Sequence, residues 1–201
     1  MRLVFATNNA HKLQEARAML EPQHQVLSLA EIGCNEQIEE NGTTLEANSL
    51  LKAQYVYEHY GINCFADDTG LEIEALDGAP GVYTARWAGE PSCDVNNRKK
   101  ALTELANVEN RNAQFRTVIT LITQDFSTQV EGIVKGTIAT EEKGTNGFGY
   151  DPVFVPEGYS QTFAELPSDV KNTMSHRANA IKKLKEVLYY QIFKSCHLVN
   201  N

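Results

Sequence analysis

Two adjacent carboxylates, Asp67 and Asp68, stand where the apolar run Cys64-Phe65-Ala66 ends, and Thr69-Gly70 follows them. An apolar strand that surfaces into acids at its C-terminal end puts charge at a sheet edge, where open α/β folds hold their ligands. The same Asp-Asp-Thr-Gly is also good turn chemistry, because Asp hydrogen-bonds its own backbone and Gly accepts positive φ. A second constellation, Thr7-Asn8-Asn9-Ala10-His11-Lys12, joins the apolar stretch 3–6 to a segment with Leu13, Ala16 and Leu20 at helical spacing, closed by Pro22. Strand, polar turn and helix N-terminus make an anion pocket, to which Thr7, Asn8 and Asn9 add donors and Lys12 a charge. Simple N-capping by Asn8 or Asn9 is the alternative. No Gly-x-x-x-x-Gly-Lys-Ser/Thr pattern occurs in the chain.

Further polar signals fall between apolar elements. Glu39-Glu40 precedes an Asn41-Gly42 turn, and such acids are usually solvated. Thr44, Asn48 and Lys52 form one polar row on an otherwise apolar helix expected over residues 45–60 and stopped by Gly61. A Lys in such a row more often snorkels to solvent than binds a ligand. The loop Gly147-Phe148-Gly149-Tyr150-Asp151-Pro152 combines glycines, aromatics and an acid, which suits a stacked flat ligand or a lid over the core. Lys171 lies shortly before Ser175, the expected cap of a last helix with a core stripe of Ile181, Leu184, Leu188 and Ile192. His176 and Arg177 then occupy a first turn, where cations oppose the helix dipole, a local conflict typical of functional sites.

The elements that must position these groups form an α/β chain. Strands are expected at 3–6, 25–29 and 64–66, an alternating one at 71–76, and two β-rich runs at 113–122 and 128–135 that read as an antiparallel hairpin. A tight turn is expected at Gly78-Ala79-Pro80-Gly81 and an Arg-bearing loop at 82–89. Asp94 is expected to cap a helix with Val95, Arg98, Leu102 and Leu105 near one face and its basic residues solvated. Parallel and antiparallel neighbours together imply a mixed sheet. With 201 residues the chain suits one domain, 1–201. A net charge of −8 disfavours a nucleic-acid-binding surface but leaves room for a small anion held by local cations or a metal. No apolar run approaches the ~20 residues of a membrane span, and no signal peptide is evident. Cys34, Cys64, Cys93 and Cys196 form no Cys-x-x-Cys pair, so free thiols and a cytoplasmic location are expected.

Taken in order, the Thr7 to Lys12 loop, Phe65-Ala66-Asp67-Asp68-Thr69-Gly70, Gly78-Ala79-Pro80-Gly81-Val82-Tyr83-Thr84-Ala85-Arg86, Gly147-Phe148-Gly149-Tyr150-Asp151-Pro152 and Ser175-His176-Arg177 resemble the inosine triphosphate pyrophosphatase family. The resemblance runs from Leu3 to about Leu188. It implies a long bent mixed sheet flanked by helices, two lobes around a central cleft, and a homodimer. It also implies Mg²⁺-dependent cleavage of ITP, dITP and XTP between the α and β phosphates. By position, Thr7, Asn8, Asn9, Ala10, His11, Lys12 and Lys52 would hold phosphates. Asp68 would accept a proton and meet Mg²⁺, Glu39 would be a further metal ligand, and Thr69 would touch the substrate. Phe148, Gly149, Tyr150, Asp151, Lys171, His176 and Arg177 would hold the base, and Asp67 would either help or brace Asp68. Two departures stand out: Ala47 where many bacterial relatives have Glu, and Thr69 for a frequent Ser. The alternatives are a sister pyrophosphatase for modified pyrimidine nucleotides and a purine nucleotide sensor that does not hydrolyse.

Overall fold

The computed structural model describes the backbone of residues 1–198 and side chains through residue 191. The sheet begins with β1 (Arg2–Phe5), β2 (Gln25–Leu27) and β3 (Cys64–Ile73), connected through helices α1 (Ala10–Leu20) and α2 (Leu45–Tyr60). A two-residue strand β4 (Pro80–Gly81) and helix α3 (Asp94–Glu104) follow, then the hairpin of β5 (Asn112–Ile122) and β6 (Ser127–Ile138). The chain continues through β7 (Phe154–Pro156) and α4 (Ser168–Met174) to α5 (His176–Leu198). Strand order is β2-β1-β3-β5-β6-β7, with β4 added to β3. β1 runs parallel to β2 and β3, whereas the β3–β5, β5–β6 and β6–β7 ladders are antiparallel. The result is a mixed sheet, curled and flanked by helices.

Local chemistry explains most boundaries. Thr44 accepts from Ala47 N to cap α2, and Gly61 at φ 63 ends it, so the helix occupies 45–60 as its caps dictate. Long antiparallel strands β5 and β6 pair from Asn112↔Thr137 to Ile122↔Ser127, and Thr123 closes the turn by hydrogen bonds with Phe126. Three clusters of buried side chains pack on this frame. One lies between α1, α5 and the sheet (Leu3, Phe5, Leu20, Phe65, Leu184), one under α2 on the other face (Val4, Ala53, Val56, Ala66), and one at the far end (Leu71, Phe115, Phe154, Phe163). Residues of the last cluster, Phe115 and Tyr150, also line the cavity described below.

Several expectations are corrected. Asp67-Asp68-Thr69-Gly70 is neither a turn nor a strand end: all four sit inside β3, paired with Ile119, Val118, Thr117 and Arg116 of β5. A continuous ladder overrides the turn preference of these residues. The separate strand expected at 71–76 is the end of β3, which stops at Ile73 and passes into a 3-10 turn, Glu74–Leu76. The second strand ends at Leu27 rather than 29. Pro80–Gly81 pairs with β3 instead of lying in a turn. Asp94 is the first residue of α3 with Cys93 at the cap position, and Val95 is 57% exposed rather than packed. Of the stripe on the last helix, Ile181, Leu184 and Leu188 are buried, while the Ile192 side chain lies outside the described residues.

One close approach fixes α5. A Cβ on Gly132 of β6 would fall on the backbone of His176, Asn179 and Ala180, and Asn179 Nδ2 donates to Ile133 O at 2.8 Å beside it. Gly132→Ala must therefore push the first turns of α5 off the sheet. It should destabilise the fold by about 3 kcal/mol, an overpacking cost, read from urea unfolding midpoints; an unchanged midpoint would contradict this packing.

Candidate active site

The site forms where β1 runs out. Phe5 is the last residue of β1 opposite β3, and Ala6 N donates to Phe65 O at 2.8 Å. From Ala66 to Gly70 this edge of β3 has no strand partner until Leu71 meets Gly81 of β4. The chain leaves β1 through Thr7-Asn8-Asn9, and Asn9 caps α1 by accepting from Lys12 N at 3.1 Å. This aims the α1 N-terminus at the open edge. On α5, Ser175 Oγ accepts from Ala178 N at 3.2 Å and brings His176 and Arg177 to the same place.

Strand alternation sends the two acids to opposite faces. Asp67 points toward α1 and α5, taking Lys12 Nζ on one oxygen and Arg177 Nε on the other, both at 3.0 Å. Arg177 also donates to Glu15 Oε2 at 2.6 Å and to Thr69 Oγ1 at 3.3 Å. Glu15 takes Lys171 Nζ on its other oxygen at 2.9 Å. Lys171 in turn reaches Asp151 at 2.6 Å, and Asp151 accepts from Phe148 N at 2.9 Å. Asp68 points toward α2, where Asn48 Nδ2 donates to Oδ2 at 3.0 Å while Thr69 N occupies Oδ1 at 2.9 Å. Lys52, one helical turn further along α2, pairs with Glu40 at 3.0 Å.

These surroundings drive the acids apart electrostatically. Burial works against ionisation of Asp67, but Lys12, Arg177 and Lys52 outweigh it and hold the carboxyl well below the usual carboxylate range. For Asp68, 8% exposed, burial prevails over Lys52 and Lys12; Glu40 adds to the rise, and the carboxyl sits above its ordinary value. His176 is 5% exposed and stacks on Phe115 at 4.6 Å; burial, then Arg177 and Lys171, push it far below the usual imidazole range, so it is neutral at pH 7. Its Nδ1 is buried and has no hydrogen-bond partner among the described residues. Lys12 is lowered, chiefly by burial, with Asp67 opposing.

A cavity of about 560 Å³ opens over this network, a size suited to a small-molecule ligand. Of the residues singled out in the sequence, Thr7, Asn8, Asn9, Lys12, Lys52, Asp68 and Thr69 line one part of it. Phe148, Gly149, Tyr150, Asp151, Lys171, His176 and Arg177 line another part, beside Thr84, Asp94 and Phe115. Ala10 and His11 do not line it; His11 stacks instead on Phe148 with centroids 5.2 Å apart. Glu39 is exposed and off the cavity. Its neighbour Glu40 lines the wall, because that neighbour turns toward Lys52. Asn48, placed in one polar row with Thr44 and Lys52 by its spacing but given no role there, meets Asp68. Glu15 was not singled out in the sequence, although it lies one turn from Lys12. Arg98, read as solvated, instead donates to Gly149 O at 2.8 Å. Among the described residues no three His, Cys, Asp or Glu side chains gather as a metal site.

The Ham1 family model matches residues 3–187. The dITP/XTP pyrophosphatase of Porphyromonas gingivalis is 53% identical over 188 residues, 93% of this chain and 97% of that protein. The Bacillus subtilis protein of the same name is 47% identical over 189 residues, 92% and 96% of the two chains. Among solved structures, the Staphylococcus aureus Ham1 protein matches with a TM-score of 0.86 and 38% identity, covering 95% of this chain and 100% of that one. A nucleoside-triphosphatase / dITP/XTP pyrophosphatase from Mycobacterium abscessus matches with a TM-score of 0.73 and 40% identity, covering 92% and 98%.

The opposed environments of the adjacent acids give opposite stability signatures. Asp67→Asn leaves Lys12 and Arg177 without their shared anion and should cost about 3 kcal/mol. Because the folded-state pKa of Asp67 is depressed, this loss is full above about pH 5 and shrinks as pH falls below about 4. Asp68→Asn should leave the melting temperature at pH 7 equal or raised, since ionising a carboxyl whose folded pKa is raised costs stability there. Thermal melts of both variants from pH 3 to 8 check the signs; a stable Asp67→Asn protein at pH 7 would contradict the reading.

Proposed function

The chain belongs to the Ham1 family, and from that membership we propose that it hydrolyses ITP, dITP and XTP to the nucleoside monophosphate and pyrophosphate, clearing deaminated purines from the nucleotide pool. The observation that carries this reading is one cleft holding both a buried carboxylate of raised pKa, Asp68, and a neutral His176 whose Nδ1 lacks a partner among the described residues. The same cleft is lined by the cations Lys12, Lys52, Lys171 and Arg177.

The division of labour follows from charge. A triphosphate carries about four negative charges near neutral pH, so it seeks the α1 N-terminus, Lys12 and Lys52. Carboxylates can share that space only with a cation between. Asp68 and Glu40 offer hard oxygen donors, too few for a closed cage but suited to Mg²⁺, which keeps waters and takes phosphate oxygens as its other ligands. Bound there, Mg²⁺ would neutralise phosphate charge. Asp68, held by Asn48 and Thr69 N, is placed to take the proton of the attacking water, and its raised pKa brings it nearer the operating pH. Asp67, committed to Lys12 and Arg177, braces rather than reacts.

At the other end, hypoxanthine and xanthine present an acceptor oxygen at position 6, where adenine presents an amino donor. Arg177, Lys171 and the N–H of a neutral His176 welcome the first. Against adenine's amino group, a donor directed at position 6 would find no acceptor in a buried pocket, a penalty of about 1–3 kcal/mol. The family resemblance supports a homodimer. The free thiols Cys34, Cys64 and Cys93 support a cytoplasmic setting, and no described helix is long and apolar enough to cross a membrane.

Pyrophosphate release with Mg²⁺ across ITP, XTP, dATP, GTP, dTTP and UTP tests the proposal: ITP and XTP should lead clearly. Equal rates on all purines would remove the discrimination, faster dTTP or UTP would favour a pyrimidine enzyme, and binding without release would leave a sensor. Asp68→Asn should still bind ITP but turn over about 10²- to 10⁴-fold more slowly. The wild-type kcat should rise with pH through an apparent pKa above the ordinary carboxylate value.

A further inference from the structure

Helix α3 takes no part in the chemistry described above, although Asp94 at its start lines the same cavity, and its first turns hold the aromatic loop. Asp94 Oδ2 accepts from Gly149 N at 2.9 Å, and Arg98 Nη1 donates to Gly149 O at 2.8 Å, so both polar backbone groups of one glycine are gripped by side chains four residues apart. Arg98 Nε, which makes no hydrogen bond, is ion-paired with Glu142 at 3.0 Å, on the segment leading into the loop. The loop needs such a grip. Gly147 and Gly149, which flank Phe148, both have positive φ (75° and 61°), a conformation glycine adopts freely but does not keep unaided. A Cβ on Gly149 would meet nothing within 4 Å, so packing does not hold this residue in place.

We propose that Asp94 and Arg98 are positioning residues for nucleotide recognition: by clamping the Gly149 peptide they fix Phe148 and Tyr150 along the wall of the cleft. The inference rests on the nucleotide pyrophosphatase reading for its consequence, though not for the clamp itself. The same helix anchors the facing turn, since Asn97 donates to Ala85 O at 2.8 Å and accepts from Ala88 N at 2.7 Å, and Tyr150 Oη reaches Thr84 O at 3.0 Å. α3 is thus a splint that sets the distance between two stretches of the cleft wall. Asp68 lies on β3 and is held by α2, outside this unit, so loosening the splint should weaken nucleotide binding while sparing the proton-transfer step.

The test combines amide hydrogen exchange at Phe148–Tyr150 with steady-state kinetics on ITP for Asp94→Ala, Arg98→Met and the conservative Asp94→Asn. Asp94→Ala should speed exchange at Gly149 at least tenfold. Asp94→Ala and Arg98→Met should each raise KM for ITP by about tenfold, the scale of a misplaced binding loop. Their kcat should stay within about twofold and the pH dependence of kcat should be unmoved, because the group titrating there is on β3. Asp94→Asn keeps an acceptor for Gly149 N and should recover most of the KM. Combined, Asp94→Ala and Arg98→Met should raise KM by less than the product of the single effects, because both act on one peptide. Unchanged exchange at Gly149 would overturn the clamp whatever the substrate. Faster exchange with unchanged KM, or a fall in kcat as large as the rise in KM, would overturn its role in recognition. A wild-type protein without ITP turnover would instead sink the functional reading, and the exchange measurement would still judge the clamp.

Discussion

A single carboxylate, that of Asp67, lies between Lys12 Nζ and Arg177 Nε at the strand edge that β1 leaves unpaired. It joins groups 55 and 110 residues away in sequence, and the rest of the site is arranged around that meeting. A buried ion cluster of this kind is a weak source of net stability, because desolvation offsets much of the Coulomb attraction. What it supplies is position. With Asp67 in place, Arg177 has one geometry that also satisfies Glu15 and Thr69, and Glu15 then fixes Lys171, which fixes Asp151 and the Phe148 amide. The loop after β1 and the aromatic loop before β7 are held in register by this chain of alternating charges.

The neighbouring carboxylate is freed by the same geometry. A β-strand turns successive side chains to opposite faces, so Asp68 escapes the Lys12–Arg177 vice and meets Asn48 instead. Two residues of one chemical type thereby acquire different roles, one permanently anionic and one shifted toward neutrality by burial. Separation of this kind is how acid and base assignments are made in other hydrolytic sites. His176, stripped of charge by its burial against Phe115 and by the adjacent cations, completes the contrast. A cation expected at a helix N-terminus is, in the folded protein, a neutral donor or acceptor.

Much of this was legible in the sequence where local chemistry decides. Helix 45–60 is bracketed by its cap Thr44 and its stop Gly61, the hairpin of β5 and β6 is announced by β-branched runs, and the motifs named most of the cavity wall. What was illegible depends on partners distant in sequence. Asp-Asp-Thr-Gly has the composition of a turn, and only the Ile119 to Arg116 stretch of β5 makes it a strand. Which of Glu39 and Glu40 turns inward is set by the position of Lys52, and no spacing rule reveals it. Arg98 looks solvated on a helical wheel because the Gly149 carbonyl that it meets lies 51 residues away. That Asp67 and Asp68 face opposite sides likewise needed the strand's facing, which a turn assignment hides.

These two adjacent acids sit in opposite electrostatic surroundings. Carboxyl ¹³C chemical shifts of the folded protein, assigned to Asp67 and Asp68 and followed from neutral pH down to the acid unfolding limb, measure this contrast directly. Asp67 should remain ionised until the fold is lost, while Asp68 should titrate above the ordinary carboxylate value of about 3.9. Two carboxyls titrating together near that value, or the reverse order, would contradict it.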